Sequence, residues 1–182
     1  MNWIIIGGTA FILLTLFDLN KIYKWHWIFN AFFALGILLL TFSLIMILKE
    51  QIHYGYFEGN YLFYSLVILG AILQIYALFF ALPAKDTYTL LDEIQLVDTG
   101  LYGLCRHPGV YGFLLMGIGF SLGTGSFLIT YTAIIWSLLD LVHVWIQDQF
   151  IFPLFIPGYK DYQKRVGFLF IKTKENVCQN LS

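Results

Sequence analysis

Residues 127-FLITYTAIIWSLLDLVHVWIQDQF-150 are apolar almost throughout, yet they carry Asp140, His143, Gln147 and Asp148. The run is long enough for a bilayer-crossing helix, which needs roughly 20 mostly apolar residues. On a helix, Asp140, His143 and Gln147 stand at i, i+3 and i+7 and share one face, with Asp148 beside it. An ionisable group at membrane depth costs several kcal/mol unless it is paired or lines a wet cavity, so this stripe faces protein. Asp140 and His143 alone are equally well explained as an interhelical hydrogen-bond seam. With Gln147 and Asp148 leading to one end, the stripe reads as a polar pocket.

The rest of the chain has the same character. Of its 182 residues, 59% are hydrophobic and only 12% are charged. So few charges leave too little polar surface to cover a soluble domain of this size. The net charge of −1 gives no electrostatic footprint for nucleic acid, and none is expected as a partner. Cys105 and Cys178 form neither a disulfide framework nor a metal-ligand spacing, and no metal site is expected. The first apolar run has no basic flank and no small-residue cleavage site, so it reads as a retained span.

Five segments qualify, or nearly so, as membrane spans: about 3–19, 27–48, 61–82, 108–124 and 127–146. The last two are joined by Gly123-Thr124-Gly125-Ser126, a tight hairpin turn. Continuous rather than alternating apolarity argues against a closed β-barrel. The expected fold is an all-α integral membrane protein of five transmembrane helices with an amphipathic helical tail. Residues 1–182 form one membrane domain: spans one to three over 1–83, a loop over 84–107, and spans four and five plus tail over 108–182. Lys21 and Lys24 fall in the first loop, Lys85 and Arg106 in the third, and Lys160, Lys164, Arg165, Lys172 and Lys174 in the tail. Five spans put all of these on one side and only Lys49 on the other. The positive-inside rule then sets the N-terminus outside and the C-terminus in the cytoplasm. Both cysteines face a reducing compartment in that topology.

The stretch 98-DTGLYGLCRHPGVYGF-113 sets a guanidinium, an imidazole and a proline against an apolar run. Pro108 suits the first turn of a helix, where a missing N–H costs nothing. Arg106 and His107 then sit at a positively polarised helix start, a good place to hold a carboxylate. The plainer reading makes Arg106 a positive-inside anchor and His107 an interfacial residue. In the tail 153-PLFIPGYKDYQKRVGFLF-170, Tyr159, Tyr162 and Val166 fall on one side of a short amphipathic helix begun after Pro157-Gly158, with Lys160, Lys164 and Arg165 elsewhere. Alone, that segment reads as an interfacial helix with snorkelling bases.

Together these residues resemble the membrane methyltransferase family that includes isoprenylcysteine carboxyl methyltransferase, phospholipid N-methyltransferases, NnrU-like proteins and bacterial thiol methyltransferases. The matching positions are Leu96-Val97, Gly100, Tyr102, Arg106-His107-Pro108 and Gly112. Beyond the hairpin they are Gln147-Asp148, Ile151, Phe155, Tyr159, Tyr162 and Val166. The match covers about the C-terminal half. The chain departs from the pattern at Val110, where the family has tyrosine, at Gln147, where it has glutamate, and at Ile156, where it has glycine.

The resemblance implies an S-adenosylmethionine-dependent methyltransferase with the donor at the inner ends of spans four and five, under the tail. It implies that His107 binds the donor carboxylate, assisted by N–H groups of the helix that Pro108 begins. Tyr102, Tyr159 and Tyr162 would offer ring faces and hydroxyls, alongside Gln147. Asp148 would take a donor hydroxyl or ammonium or position the acceptor, and Arg106 or Arg165 would orient an anionic acceptor. The acceptor is a lipophilic or small molecule: a prenylated cysteine carboxylate, a phospholipid amine or a thiol. For a thiol, His143 or Asp140 is the candidate base. No Gly-rich Rossmann loop is present, and Gly117-x-Gly119 is a mid-helix pair with a packing explanation. Two alternatives stay open. One is an NADPH-dependent membrane reductase of the sterol-reductase type; the other is a non-catalytic scaffold or small transporter that kept the fold.

Overall fold

A computed structural model describes residues 2–53, 60–80 and 96–170, and within them the chain is all-helical. Helices α1 (Asn2–Tyr23), α2 (Trp27–His53), α3 (Tyr61–Phe80) and α6 (Phe127–Phe155) are long and apolar enough to cross a membrane. Between them lie α4, a single turn over Leu101–Leu104, and α5, the shorter apolar helix Gly109–Thr124. Helix α7 covers Tyr159–Arg165. Lys85, Lys172, Lys174 and Cys178 lie outside the described residues.

Apolarity marked where helices sit, but stop signals set where they end. Lys21, expected in the first loop, belongs to the last turn of α1, because the left-handed stop comes only at Lys24, φ 49° and ψ 43°. Helix α5 is 16 residues long, shorter than the other apolar helices. Helix α6 runs on past residue 146 into what reads as tail. A π turn over Gln147–Ile151 carries it through, and Phe152 N–H bonds back to the Gln147 carbonyl. Pro153 follows that wider turn, so its missing N–H falls where the hydrogen-bond register has already changed. Gly125, at φ 65°, ends α5, and the Ser126 side chain caps α6 by accepting from Ile129 N–H, which makes the expected hairpin.

Helices α3 and α5 touch backbone to backbone. A Cβ at Gly70 would meet the Gly112 carbonyl oxygen at 2.6 Å, and one at Gly112 would meet the Gly70 carbonyl oxygen at 2.8 Å. Small residues permit this approach, which favours helix association where water supplies no driving force. Trp136 of α6 packs on α1 and donates Nε1–H to the Ile4 carbonyl at 3.0 Å. Outward faces carry Leu38, Ile45, Ile68, Leu138 and Val142, all more than half exposed, an apolar jacket of the kind a bilayer covers. At one end of the bundle, Asn60 N–H reaches the Gly123 carbonyl and Ser126 bonds to Gln51. The other end collects the C-terminus of α1, the end of α3, the start of α5, the end of α6, and α7. Arg106, Asp148 and Tyr159 therefore meet there.

Candidate functional site

The approach to α5 is built by a sharp turn. Gly100 has φ 60°, a conformation that a side chain would strain, and one turn of helix follows it. Tyr102 then donates its hydroxyl to the Ala77 carbonyl of α3 at 3.1 Å. Cys105 is extended, and Arg106 N–H pairs with the Gly167 carbonyl at 2.9 Å. The tail is thus tied alongside residues 105–106. Tyr162 closes the same corner by donating to the Tyr102 carbonyl at 2.6 Å.

A helix start with basic side chains calls for a carboxylate, and here the carboxylate is the chain's own. Arg106 grips Asp148 in a two-pronged ion pair, Nε to Oδ1 at 2.7 Å and Nη2 to Oδ2 at 2.8 Å. Its Nη1 donates to the carbonyls of Gln163 and Val166. Tyr159 donates to Asp148 Oδ1 at 2.8 Å, and His107 Nε2 lies 3.3 Å from the same oxygen. Gln149 and Gln163 donate to Oδ2 at 2.7 and 3.3 Å. Asp148 is fully buried and Arg106 nearly so. Both carboxylate oxygens are taken, and all three guanidinium nitrogens donate. The amides at the start of α5 are engaged as well, Val110 N–H with the His107 carbonyl and Tyr111 N–H with that of Pro108.

Burial sets the protonation of the surrounding groups. It pushes His107 below its ordinary value and outweighs the opposing pull of Asp148, so the imidazole is neutral at pH 7. A neutral ring beside an ionised carboxylate presents Nε2–H to it and leaves Nδ1 as an acceptor. The ring lies flat against Phe152, centroids 6.0 Å apart, with the edge of Phe168 at 5.1 Å. Burial, reinforced by the Asp148 charge, drives the Tyr159 phenol far above its usual range, and burial does the same to Tyr162. Burial also raises the Cys105 thiol, which stays protonated.

A cavity of about 500 Å³ runs from this corner into the bundle. Tyr102, Arg106, His107, Pro108, Tyr159 and Tyr162 line its polar end. Asp140, His143 and Gln147 line it along α6, so the stripe read from the sequence does face a pocket. Two sequence candidates stand apart from the lining. Asp148 lies behind the wall, held by its five partner side chains. Arg165 is on the surface, bridged to Asp98 at 2.9 Å and 56% exposed.

A second polar cluster escaped sequence reasoning. Gln147 Nε2 donates to Asp18 Oδ2 of α1 at 2.7 Å, and Thr15 Oγ1 lies 3.0 Å from His143 Nδ1. Lys21 also lines the cavity, 4.9 Å from the Phe17 ring centre. A signal was available: Asp18 is a lone acid inside the first apolar run, and such a residue demands a partner. Gln74 of α3 was missed too; its Oε1 is buried without a hydrogen-bond partner, and the residue lines the cavity. Among the described residues, no group of three or more His, Cys, Asp or Glu is placed to hold a metal ion. No protein-family model, curated protein or solved structure matches the chain.

Proposed function

We propose that the chain is a multi-pass integral membrane methyltransferase that uses S-adenosylmethionine and methylates a lipophilic or small acceptor. In this reading α5 completes a fifth crossing, the N-terminus is outside, and the corner built by Arg106 and Asp148 faces the cytoplasm. One observation carries the reading. The two separated halves of the resemblance, Tyr102 to Pro108 and Gln147 to Tyr162, close on each other at the polar end of a single cavity. Its volume of about 500 Å³ lies within the range of small-molecule sites.

The lining fits an amphiphilic donor. The hydroxyls of Tyr102, Tyr159 and Tyr162 are all engaged, so their contribution is ring surface, which attracts a sulfonium. The orphaned Gln74 Oε1 and the His107 Nδ1 are acceptors suited to amino or hydroxyl groups. Lys21 brings a cation to the same cavity for a carboxylate. Arg106 and Asp148 then act as positioning residues: their pair holds α5, α6 and α7 together so that the rings stand where they do.

When bound, the donor supplies an electrophilic methyl group that passes to the acceptor by in-line displacement. The chain's task is to align the acceptor and exclude water, which is worth up to about 7–11 kcal/mol in well-oriented reactions. Apolar walls from Phe113, Met116 and Phe120 of α5 provide the dry environment. Calorimetric titration of the detergent-purified protein should show binding of S-adenosylmethionine and none of NADPH. Labelled methyl groups should also pass to membrane lipids, prenylcysteine analogues or thiols. NADPH binding without S-adenosylmethionine binding would overturn the proposal in favour of a reductase.

A further inference from the structure

We infer that the connection between α1 and α2 is a membrane anchor, whose aromatic rings lie at the level of the lipid headgroups. This holds whether or not the chain transfers methyl groups.

The connection is short and firmly built. Lys24 turns it with a left-handed backbone, φ 49° and ψ 43°, and its N–H bonds to the Asn20 carbonyl at 2.8 Å. Asn20 is fully buried. Its Oδ1 accepts the His26 N–H at 3.2 Å, and its Nδ2 donates to Asn30 Oδ1 at 3.2 Å. His26 Nδ1 accepts from the Ile28 N–H and so caps the first turn of α2. A buried side chain thus bridges the end of α1 to the start of α2.

That frame holds rings outward. Tyr23 stacks on Trp25, with centroids 5.3 Å apart and planes 7° from parallel. Trp25 meets Phe29 at 5.5 Å, and Phe29 meets Phe32 at 4.8 Å. Trp27 is 70% exposed, and Tyr23, Trp25 and Ile28 each expose about half of their surface. Water is a poor solvent for so continuous an apolar patch. The hydrocarbon core suits it no better, because Lys24 stands between the stacked rings and His26 lies 5.7 Å from the Trp27 ring. The interface offers apolar contact for the ring bodies and polar partners for their tips.

The surface beyond the patch points to lipid as the occupant. Ile28, Leu35, Leu38, Phe42 and Ile45 are exposed and recur at spacings of three, four or seven. They form a single stripe of α2 that runs from the connection into the apolar jacket. Exposed Lys24 is placed to meet lipid phosphates while its stem lies against the rings. The cavity adjoins the same level. Phe17, Lys21 and Phe33 line it, and Phe17 and Phe33 meet ring to ring at 5.3 Å. Phe33 stands about two turns of helix from Trp27, so the anchor keeps this part of the cavity wall close to the headgroups.

The test is fluorescence of the full-length protein in phosphatidylcholine vesicles. Trp3, Trp136 and Trp145 remain in the double variant Trp25→Phe/Trp27→Phe, so wild type minus variant isolates the anchor. Phenylalanine keeps an apolar ring at both positions, and if the double variant folds poorly, each single replacement allows the same subtraction. The difference emission should be shifted to shorter wavelength than that of free tryptophan in water. It should lose more intensity to lipids brominated near the acyl carbonyl than to lipids brominated near the methyl end. Aqueous iodide should quench it less than it quenches free tryptophan. Iodide quenching as strong as for free tryptophan would place the connection in water and overturn the inference. Stronger quenching by the deep bromines would overturn it by placing the rings in the hydrocarbon core. Quenching by none of these agents would overturn it too, because protein, such as a second copy of the chain, would then cover the patch. The measurement uses neither donor nor acceptor, so failure of the anchor leaves the methyltransferase reading standing, and failure of that reading leaves the anchor standing.

Discussion

Two buried polar clusters flank the π turn of α6 and differ in one respect. Around Asp148 every oxygen is taken: Arg106, His107, Tyr159, Gln149 and Gln163 all reach it. Around His143, ring Nε2 and the Asp18 carboxylate stand 3.7 Å apart, too far for a hydrogen bond. Gln147 and Asp148 are consecutive, yet one serves α1 and the other serves residues 106 and 159. The Asp148 cluster ties the C-terminal elements together, while Asp18, His143 and Gln147 of the other line the cavity. Successive side chains of a helix point about 100° apart, which lets Gln147 and Asp148 divide these tasks at the start of the π turn.

The largest effect that tests this contrast is removal of one partner from the saturated cluster. Arg106→Ala leaves the buried Asp148 carboxylate without its counter-charge, a loss of about 3–5 kcal/mol. Thermal unfolding in detergent should fall sharply, and α7 should become the first segment cut by protease. A variant that unfolds like the wild type would show that the pair does not hold the corner together. By contrast, Asp18→Asn keeps an acceptor for Gln147 and should cost far less stability. If it cost as much as Arg106→Ala, the clusters would not be divided as described.

The pH response sharpens the comparison next. His107 sits below its ordinary value because of burial, so between its folded and unfolded values the unfolded chain binds more protons than the folded one. Its contribution is therefore present in full above the unfolded value of about 6.5, and is lost as the pH falls from there through the lowered folded value. Stability in detergent should drop on acidification from pH 7.5 toward 5, at no more than about 1.4 kcal/mol per pH unit for this one proton. His107→Asn should flatten that slope. An unchanged slope would mean that His107 is not the buried neutral group described.

Much of this was legible in the sequence, and the gaps have physical causes. Continuous apolar runs identified the helices, and i, i+3, i+7 spacing placed Asp140, His143 and Gln147 on one wall. Tyr159, Tyr162 and Val166 share a buried side, as their spacing indicated. Helix ends were less legible, since Lys24 and the π turn are local backbone events that hydropathy does not register. The partner of Arg106 was hidden for a different reason. Asp148 lies 42 residues away, and spacing set it only beside the polar face; the resemblance, not the spacing, put it at the donor site rather than behind the wall. Asp18 was overlooked because it stands alone in its run; its meaning comes from Gln147 and His143, more than a hundred residues on.

The smallest effect belongs to the residue that composition makes most conspicuous. Arg165 has the right charge to orient an anionic acceptor, but it lies on the outer side of α7. It is bridged to Asp98, with the pair 56% and 33% exposed. An ion pair open to solvent is worth at most about 1 kcal/mol and weakens with salt. Arg165→Ala should therefore shift unfolding by less than that, and the difference should shrink in 0.5 M salt, on the order of three times physiological strength. On the methyltransferase proposal, donor affinity and methyl transfer should stay at wild-type levels, because Arg165 is bridged to Asp98 and is not among the described residues lining the cavity. A drop in either would place Arg165 within the binding machinery and move the boundary between the holding and reacting parts of this corner outward to the protein surface.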